Sequence, residues 1–354
     1  MQRSSSIKAA AIVGAAGWVV VSLAHTAEAQ ERVRWKLASS YTSSLDVLGQ
    51  NILRVIDNVE AMTDGNFEIQ FNEPGALVPA LEVFDAVSKG SVQASYTSTG
   101  FHAGRVPHLI FFASVPFGPN VNEYVAWIQH GGGYQLYSEG YGEHNIKGFQ
   151  CGIVVAESSG WFREPIESLD DLKGLKMRFF GLGAKVMGKL GVSTQLIAGA
   201  DIYPALERGV IDATEFSYPS LDKSLGFYQI AKHNYFPGWH QQASFVELIM
   251  NMDAWNELPP SYQKIVEIAC NEANSRPTSG SWGRPRRPRA RRSPSTRARG
   301  SRSTSGRPRS STLSARRGTR SPRRSRPPTR ASRRSMTTTR RFATPTPNGA
   351  RSAT

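Results

Sequence analysis

The sequence predicts an α/β protein built as two similar lobes facing a shared cleft. Three observations predict it. First, strand and helix patterns alternate as βαβαβ from Val33 to Tyr96, which argues for a largely parallel sheet with helices on both faces. Second, Lys89-Gly90-Ser91-Val92-Gln93-Ala94-Ser95-Tyr96 is echoed by Arg208-Gly209-Val210-Ile211-Asp212-Ala213-Thr214-Glu215. Each copy follows a short amphipathic helix, stops it at a glycine and runs into a short strand. The echo reads as a structural duplication that sets Tyr96 across from Glu215. Third, Gly174 to Phe216 reads as strand, glycine-rich turn, helix, helix, strand, with Arg178 inside an apolar run. Ligands of open α/β sheets bind at such strand ends. A chain of 354 residues is long enough for two lobes.

The chain in order supports this. Residues 1–29 read as a signal peptide. Arg3 and Lys8 give a positive start, Ala9 to Ala24 is mostly small and apolar, and Ala27-Glu28-Ala29 is an A-x-A cleavage site. The apolar run is short for a membrane span, so the expected mature chain begins at Gln30 and is exported to the periplasm. Val33 to Ala38 is a strand. Leu45, Leu48, Ile52, Val55, Ile56, Val59 and Met62 keep the helical period, and Gly65 ends that helix. Phe67 to Phe71 alternates as a strand. A helix over Ala80 to Ser88 and a strand over Val92 to Tyr96 follow.

Phe101 to Asn120 is irregular. Asn122 to Tyr137 is helical but broken by Gly131-Gly132-Gly133. Lys147 to Val155 reads as a strand crossing between the lobes. Ser168 and Asp171 sit at capping-box spacing before Gly174. After Phe216 come a helix near Leu221 to Tyr228, a strand over Phe245 to Met250 and an amphipathic helix over Ser261 to Asn274. The expected division is residues 30–150 for lobe I, 151–240 for lobe II, 241–275 returning to lobe I, and 276–354 as a tail.

The net charge of +15 misleads, because 24 of the 43 basic residues lie after Ser275, all of them arginine and with no acid among them. Residues 1–275 hold 19 basic and all 28 acidic residues, a net of −9. The tail's only large apolar residues are Trp282, Leu313, Met336 and Phe342, too few to offset chain entropy, so disorder is expected there. The change comes abruptly in mid-helix, which points to a shift of reading frame; a genuine basic tail is the alternative. Cys151 and Cys270 are the only thiols; the sequence leaves open whether they form a disulfide or stay as two buried thiols.

Catalytic motifs are missing. Gly183 to Lys189 fits G-x-x-x-x-G-K, but Leu190 stands where a phosphate loop needs Ser or Thr, and the run fits an ordinary helix. No G-x-G-x-x-G, G-x-S-x-G or H-E-x-x-H occurs. Of the histidines only His108, His233 and His240 lie near loops, and none has a partner at ligand spacing. Arg178 stands out, because a guanidinium within Met177-Arg178-Phe179-Phe180 needs an anionic partner. Its planar fork matches a carboxylate. On the residues alone, a bound carboxylate and an internal salt bridge to Glu215 remain equally open. Gln150, Glu215 and Gln241 are polar residues beside apolar runs, and each reads equally as an edge residue.

These residues also carry a resemblance. Phe149-Gln150-Cys151-Gly152, Leu172-Lys173-Gly174-Leu175-Lys176-Met177-Arg178, Asp201 to Gly209, Asp212-Ala213-Thr214-Glu215-Phe216, Leu225-Gly226-Phe227-Tyr228 and Tyr235-Phe236-Pro237-Gly238-Trp239 together resemble the DctP-like solute-binding proteins of TRAP (tripartite ATP-independent periplasmic) transporters. The closest branch is the one that binds 2-oxo and 2-hydroxy monocarboxylates. The resemblance covers Val33 to about Asn274. It implies a type II periplasmic-binding-protein-like fold with a hinge, closing on a small carboxylate, and permease subunits as membrane partners. It implies no enzyme activity. Substrate contacts fall on Arg178, Gln150, Tyr96, Thr97, Tyr218 and Trp239, with Tyr41 helping to set the pocket size. A bridging cation is implied at Gln150, Glu215, the Phe216 carbonyl and Gln241. Members of this branch often carry an acid at the position of Gln241, so sodium is expected ahead of calcium.

The family's long C-terminal helices have no counterpart in the arginine-rich tail, so a dimer is not expected. Arg178→Ala is expected to abolish binding with the fold largely intact. Two other classes are set against this reading. A nucleic-acid or anionic-surface binder would act through the tail, but the tail lacks interleaved aromatics and the export signal takes it away from DNA. An exported enzyme would have to turn over a small carboxylic acid.

Overall fold

The computed structural model describes residues 32–275. The expected signal peptide and the expected disordered or frame-shifted tail both lie outside the described residues. Two five-stranded sheets organise the rest.

The first sheet begins with β1 (Val33–Ser39), α1 (Leu48–Met62), β2 (Phe67–Asn72), α2 (Val83–Ser88) and β3 (Ala94–Thr97). This is the βαβαβ order read from the pattern. β1 pairs in parallel with both β2 and β3. The apolar stripe of α1 is the reason the helix forms against this sheet: Leu48, Ile52, Val55, Ile56 and Val59 are all buried. Two 3₁₀ turns, Thr99–His102 and Pro107–Phe112, occupy the stretch expected to be irregular. Then α3 (Val121–His130), with a capping box from Asn120 and Glu123, and α4 (Gly133–Gly142) are separated at the triple glycine.

β4 (Ile146–Val154) does not cross between lobes as expected. It stays wholly in the first sheet, because an antiparallel partner pairs with it from Ile146 to Val154. The chain crosses just afterwards.

The second sheet holds β5 (Gly160–Phe162), β6 (Lys176–Arg178), α5 (Gly181–Lys189), β7 (Ser193–Gln195), α6 (Gly199–Glu207), β8 (Ala213–Thr214), α7 (Pro219–Ser224) and β9 (His233–Tyr235). The G-x-x-x-x-G-K run is an ordinary part of α5. The Ser168–Asp171 capping box is present ahead of β6. The chain then returns to the first sheet through β10 (Ser244–Asn251), α8 (Met252–Asn256) and α9 (Pro260–Ser275). The strand orders are β2-β1-β3-β10-β4 and β7-β6-β8-β5-β9.

Cys151 on β4 and Cys270 on α9 form a disulfide, which settles the alternative the sequence left open. It ties the last described helix to the sheet across 119 residues of chain. Such a link is worth about 2–5 kcal/mol in small secreted domains. Beside it, an open groove of about 920 Å³ runs along β4, lined by Phe149, Ile153, Phe245 and Trp255. Among the described residues no helix is long and apolar enough to cross a membrane.

Candidate functional site

Arg178 ends β6, and Glu215 follows β8, the middle strand of the second sheet. The parallel register sets Arg178 beside Thr214, so the next residue along brings Glu215 to the guanidinium. Both side chains are buried. Arg178 Nη1 donates to Glu215 Oε1 at 2.6 Å and to the Glu215 carbonyl at 2.8 Å, while Nε donates to the Ile197 carbonyl at 3.2 Å. The guanidinium lies 5.3 Å from the Phe216 ring centre and 5.9 Å from that of Phe180, within cation–π range. The Phe180 N–H donates to Glu215 Oε1 at 2.6 Å. Burial alone would raise the Glu215 pKa, but the charge on Arg178, helped by His240 and the Phe180 amide, holds it below the usual carboxylate range.

The internal salt bridge is therefore real, and Glu215 is its partner. All of the hydrogen bonds above are made by Nε and Nη1, so the arginine's fork is only partly committed.

The two segments that cross between the sheets bring further groups to the same place. Glu157 lies between β4 and β5, and His240 and Gln241 lie between β9 and β10. Their backbones are tied together: the Glu157 N–H donates to the Gln241 carbonyl at 3.2 Å, and the Gly238 N–H donates to the Glu157 carbonyl at 2.6 Å. His240 Nε2 is 3.5 Å from Glu157 Oε2 and 3.5 Å from Glu215 Oε2. Ligand atoms of Glu157, Glu215 and His240 all fall within 4.8 Å of one another. Burial pushes the Glu157 carboxyl up; His240 opposes the rise and the charge on Glu215 adds to it. Burial disfavours a charged His240, but the two carboxylates override it and push the imidazole up to about 9.

The predicted site residues divide. Arg178, Glu215, Phe216 and Gln241 share this place. Gln241 is buried, and its Oε1 has no hydrogen-bond donor among the described residues; the same holds for Glu215 Oε2. Tyr218 immediately precedes α7 with a buried, partnerless hydroxyl, and the negative charges of Asp46, Asp222 and Glu157 add to the rise that burial gives its pKa. Trp239 is half-buried, its ring 5.7 Å from Phe117, 6.0 Å from Phe179 and 5.7 Å from His240.

Three residues stand elsewhere. The Tyr96 hydroxyl turns into the first lobe, accepting from Asn51 at 3.0 Å and donating to the Cys151 carbonyl at 3.2 Å, so it does not look across at Glu215. Thr97 is buried at the end of β3, where Ser40 donates to its Oγ1 at 2.9 Å. Gln150 is paired across the ladder with Glu247 and lines the groove along β4, with no contact to Arg178 or Glu215 among its described bonds. The cause is the position of β4, which keeps Gln150 inside the first sheet.

The sequence reading missed Glu157 and the role of its neighbour His240. The signal was there: Ala156-Glu157-Ser158 places one acid between two strands, at the crossing itself. Tyr41 is buried, and burial raises the pKa of its hydroxyl, with Arg178 opposing the rise and Glu157 adding to it.

The donors present fit the cation that the resemblance implies. Glu215 Oε2 and Gln241 Oε1 are buried, bear no hydrogen bond and are oxygens, which suit a hard cation such as sodium or calcium.

Comparison with known proteins gives the family. The family model described as bacterial extracellular solute-binding protein, family 7 (DctP), matches residues 38–280. A monocarboxylate 2-oxoacid-binding periplasmic protein of a Nostoc species is 42% identical over 243 residues, covering 68% of this chain and 66% of that protein, just under two thirds of its length. A TRAP periplasmic solute-binding protein of Pseudoalteromonas atlantica, solved with sodium and pyruvate, is 36% identical with a TM-score of 0.67, covering 69% of this chain and 74% of its own. A TRAP solute-binding protein of Bordetella bronchiseptica, solved with calcium and picolinate, is 40% identical with a TM-score of 0.67, covering 69% and 73%. The two-sheet fold, the buried Arg178–Glu215 centre and the family match over most of the described residues lead to one conclusion: this chain belongs to the bacterial extracellular solute-binding protein family 7.

Proposed function

We propose that this protein captures a small 2-oxo or 2-hydroxy monocarboxylate in the periplasm and delivers it to the membrane permease subunits of a TRAP transporter. One observation carries the reading. Around Arg178 and Glu215 lies a concentration of buried polar atoms without hydrogen-bond partners: Glu215 Oε2, Gln241 Oε1, both ring nitrogens of His240 and the hydroxyls of Ser158, Ser217 and Tyr218. Buried polar groups are paired in the great majority of cases, so unpaired hydroxyls beside a guanidinium support a place for a polar anion, and the unpaired oxygens of Glu215 and Gln241 support a cation next to it.

Arg178 anchors the carboxylate. Its position is fixed beforehand by Glu215 and the Ile197 carbonyl, so little side-chain entropy is lost on binding. Tyr218 and the two serines have hydroxyls to offer the ligand's remaining oxygens. A sodium or calcium ion, as in the two solved relatives, would be held by Glu215, the Phe216 carbonyl and Gln241, and would supply positive charge to a second oxygen of the ligand. Phe180, Phe216 and Trp239 keep water away, which strengthens every charged hydrogen bond inside. The centre is closed to solvent, so entry requires the sheets to part about the crossings at 155–159 and 236–243.

Calorimetry of the mature protein with pyruvate, lactate and succinate tests the proposal. One-site binding of pyruvate or lactate, with the acid recovered unchanged, is expected. No heat with either monocarboxylate, in sodium or in calcium, would refute it.

A further inference from the structure

We infer that Phe180 sets the size of acid the site accepts, because its ring is the wall beside Arg178 that the first lobe must seat against when the lobes close. The inference rests on the carboxylate-binding reading proposed above.

Two buried rings flank the Arg178 guanidinium, and each is backed by a glycine. The ring centre of Phe216 lies 5.3 Å from the guanidinium and that of Phe180 5.9 Å. A Cβ at Gly199 would come within 2.7 Å of the Phe216 ring, and a Cβ at Gly100 would overlap the Phe180 ring. Neither glycine has a positive φ, so the rings and not the backbone call for glycine there. Protein interiors are close-packed, and a ring seated on a bare Cα has no room to draw back.

The two backings differ in which lobe supplies them. Gly199 opens α6, inside the second lobe with Phe216. Gly100 belongs to the first lobe, in the 3₁₀ turn that follows β3. Phe180 therefore packs across the cleft. Its ring meets that of Phe101 with centres 5.0 Å apart and planes at 75°, an edge-on contact. Phe101 lies 6.1 Å from Tyr41, and Tyr41 6.0 Å from Tyr96. A row of rings thus runs from the first sheet to the arginine. On its own side Phe180 is fixed by its N–H, which donates to Glu215 Oε1 at 2.6 Å. An acid taken up by the uncommitted part of the Arg178 fork is walled by these rings. The methyl group of pyruvate leaves Phe180 where Gly100 can seat on it. A larger substituent needs the space of the ring itself, and the ring then holds the lobes short of closure. Selection against large acids works through closure rather than through a contact with the acid alone.

The test titrates pyruvate, lactate and phenylpyruvate into the mature full-length protein by calorimetry. Wild type, Phe180→Ala, Phe180→Leu, Gly100→Ala and the double variant Gly100→Ala with Phe180→Leu are compared. Wild type is expected to bind pyruvate and to reject phenylpyruvate. Phe180→Ala should bind phenylpyruvate at least about tenfold more tightly than wild type does, while its pyruvate affinity falls. Gly100→Ala should weaken pyruvate about tenfold or more, because its methyl group meets the ring on closure. Leucine lacks the ring atoms that the methyl group would overlap, so the double variant should regain most of the pyruvate affinity. A protein damaged only in its folding would show neither the gain of phenylpyruvate nor that rescue. Rejection of phenylpyruvate by both Phe180 variants, no rescue in the double variant, or equal binding of the two acids by wild type overturns the inference and leaves the transport reading standing, so long as wild type binds pyruvate. Wild type that binds neither pyruvate nor lactate overturns the transport reading and this inference with it.

Discussion

The two sheets share one topology and divide the work. Each has the order of a lateral parallel strand, a second parallel strand, a central strand, then two antiparallel partners. Registers place Leu37 beside Ala94 in the first and Met177 beside Ala213 in the second, so Ser40 corresponds to Phe180. In the first sheet the Ser40 N–H bonds the Tyr96 carbonyl, an ordinary ladder contact. In the second the Phe180 N–H bonds the carboxylate of Glu215, the residue equivalent to Tyr96. The same backbone therefore serves packing in one lobe and charge in the other. Strand lengths follow: β1 and β3 run 7 and 4 residues, whereas their counterparts β6 and β8 run 3 and 2. The first sheet also has the disulfide. Stability is concentrated in the lobe that can extend its ladder, and chemistry in the lobe whose strands stop early and expose their ends.

Arg178→Ala should break this comparison most severely. It leaves Glu215 as a buried charge without its cation, a loss of about 3–5 kcal/mol of stability. Carboxylate binding should vanish as well. The sequence reading expected the fold to stay largely intact; the salt bridge to Glu215 is the reason a stability loss is predicted instead. Adding Glu215→Gln should recover part of the stability but none of the binding, measured by urea unfolding and calorimetry. An Arg178→Ala protein as stable as wild type would show that the second lobe does not depend on the pair.

The first lobe has its own buried acid, and its answer is different. Glu247 on β10 accepts hydrogen bonds from the hydroxyls of Tyr137, at 2.7 Å, and Tyr141, with His102 3.8 Å away. It has no buried cation beside it, and burial pushes its carboxyl from 4.5 up to about 7. The native state thus holds this proton more tightly than the unfolded chain. Its contribution to stability is complete below about pH 4.5 and is lost as the pH rises through about 7. His102, pushed down to about 3 by burial, has the opposite slope at lower pH, so the wild-type profile mixes both. Subtracting the Glu247→Gln profile isolates the acid. Between pH 5 and 8 wild type should lose roughly 2–3 kcal/mol relative to the variant. A constant difference would mean that Glu247 is ionised throughout.

How much of this was legible follows from where the signals lie. Local patterns gave α1, α9 and the βαβαβ run, because the apolar period and the capping residues are written in adjacent residues. The echo between 89–96 and 208–215 gave the two lobes. Arg178 was legible because a guanidinium in an apolar run needs a partner, and a salt bridge to Glu215 was one of the two readings the residues left open. Gln150 was placed at the site by the family resemblance, whereas the crossing of β4 and the facing of Tyr96 and Glu215 were read from the residues. Neither is fixed by local sequence: β4 is held in its sheet by β10, nearly 100 residues later in the chain. Glu157 was missed for the same reason. Its environment is made by His240, Gln241 and Glu215, and only the folded crossings bring them together.

The smallest effect tests the duplication itself. Gly90 and Gly209 end α2 and α6 with φ of +71° and +70°, a region that L side chains adopt only at a cost. The bonds around them match. Gly90 N–H reaches the Val87 carbonyl at 3.0 Å and Ser91 N–H that of Ala86 at 2.8 Å; Gly209 N–H reaches Leu206 at 3.0 Å and Val210 N–H reaches Ala205 at 2.9 Å. A Cβ at Gly209 meets nothing within 4 Å, and at Gly90 only Asn251 at ordinary contact distance. Backbone strain is therefore the whole penalty at both sites, about 1–2 kcal/mol each. Alanine at either position should cost the same within a few tenths of a kcal/mol, read from urea midpoints at constant m-value. An equal cost would mean that the two turns are one device used twice. If one substitution were neutral and the other costly, the shared turn would be a coincidence of eight residues, and the likeness of the sheets would rest on strand order alone.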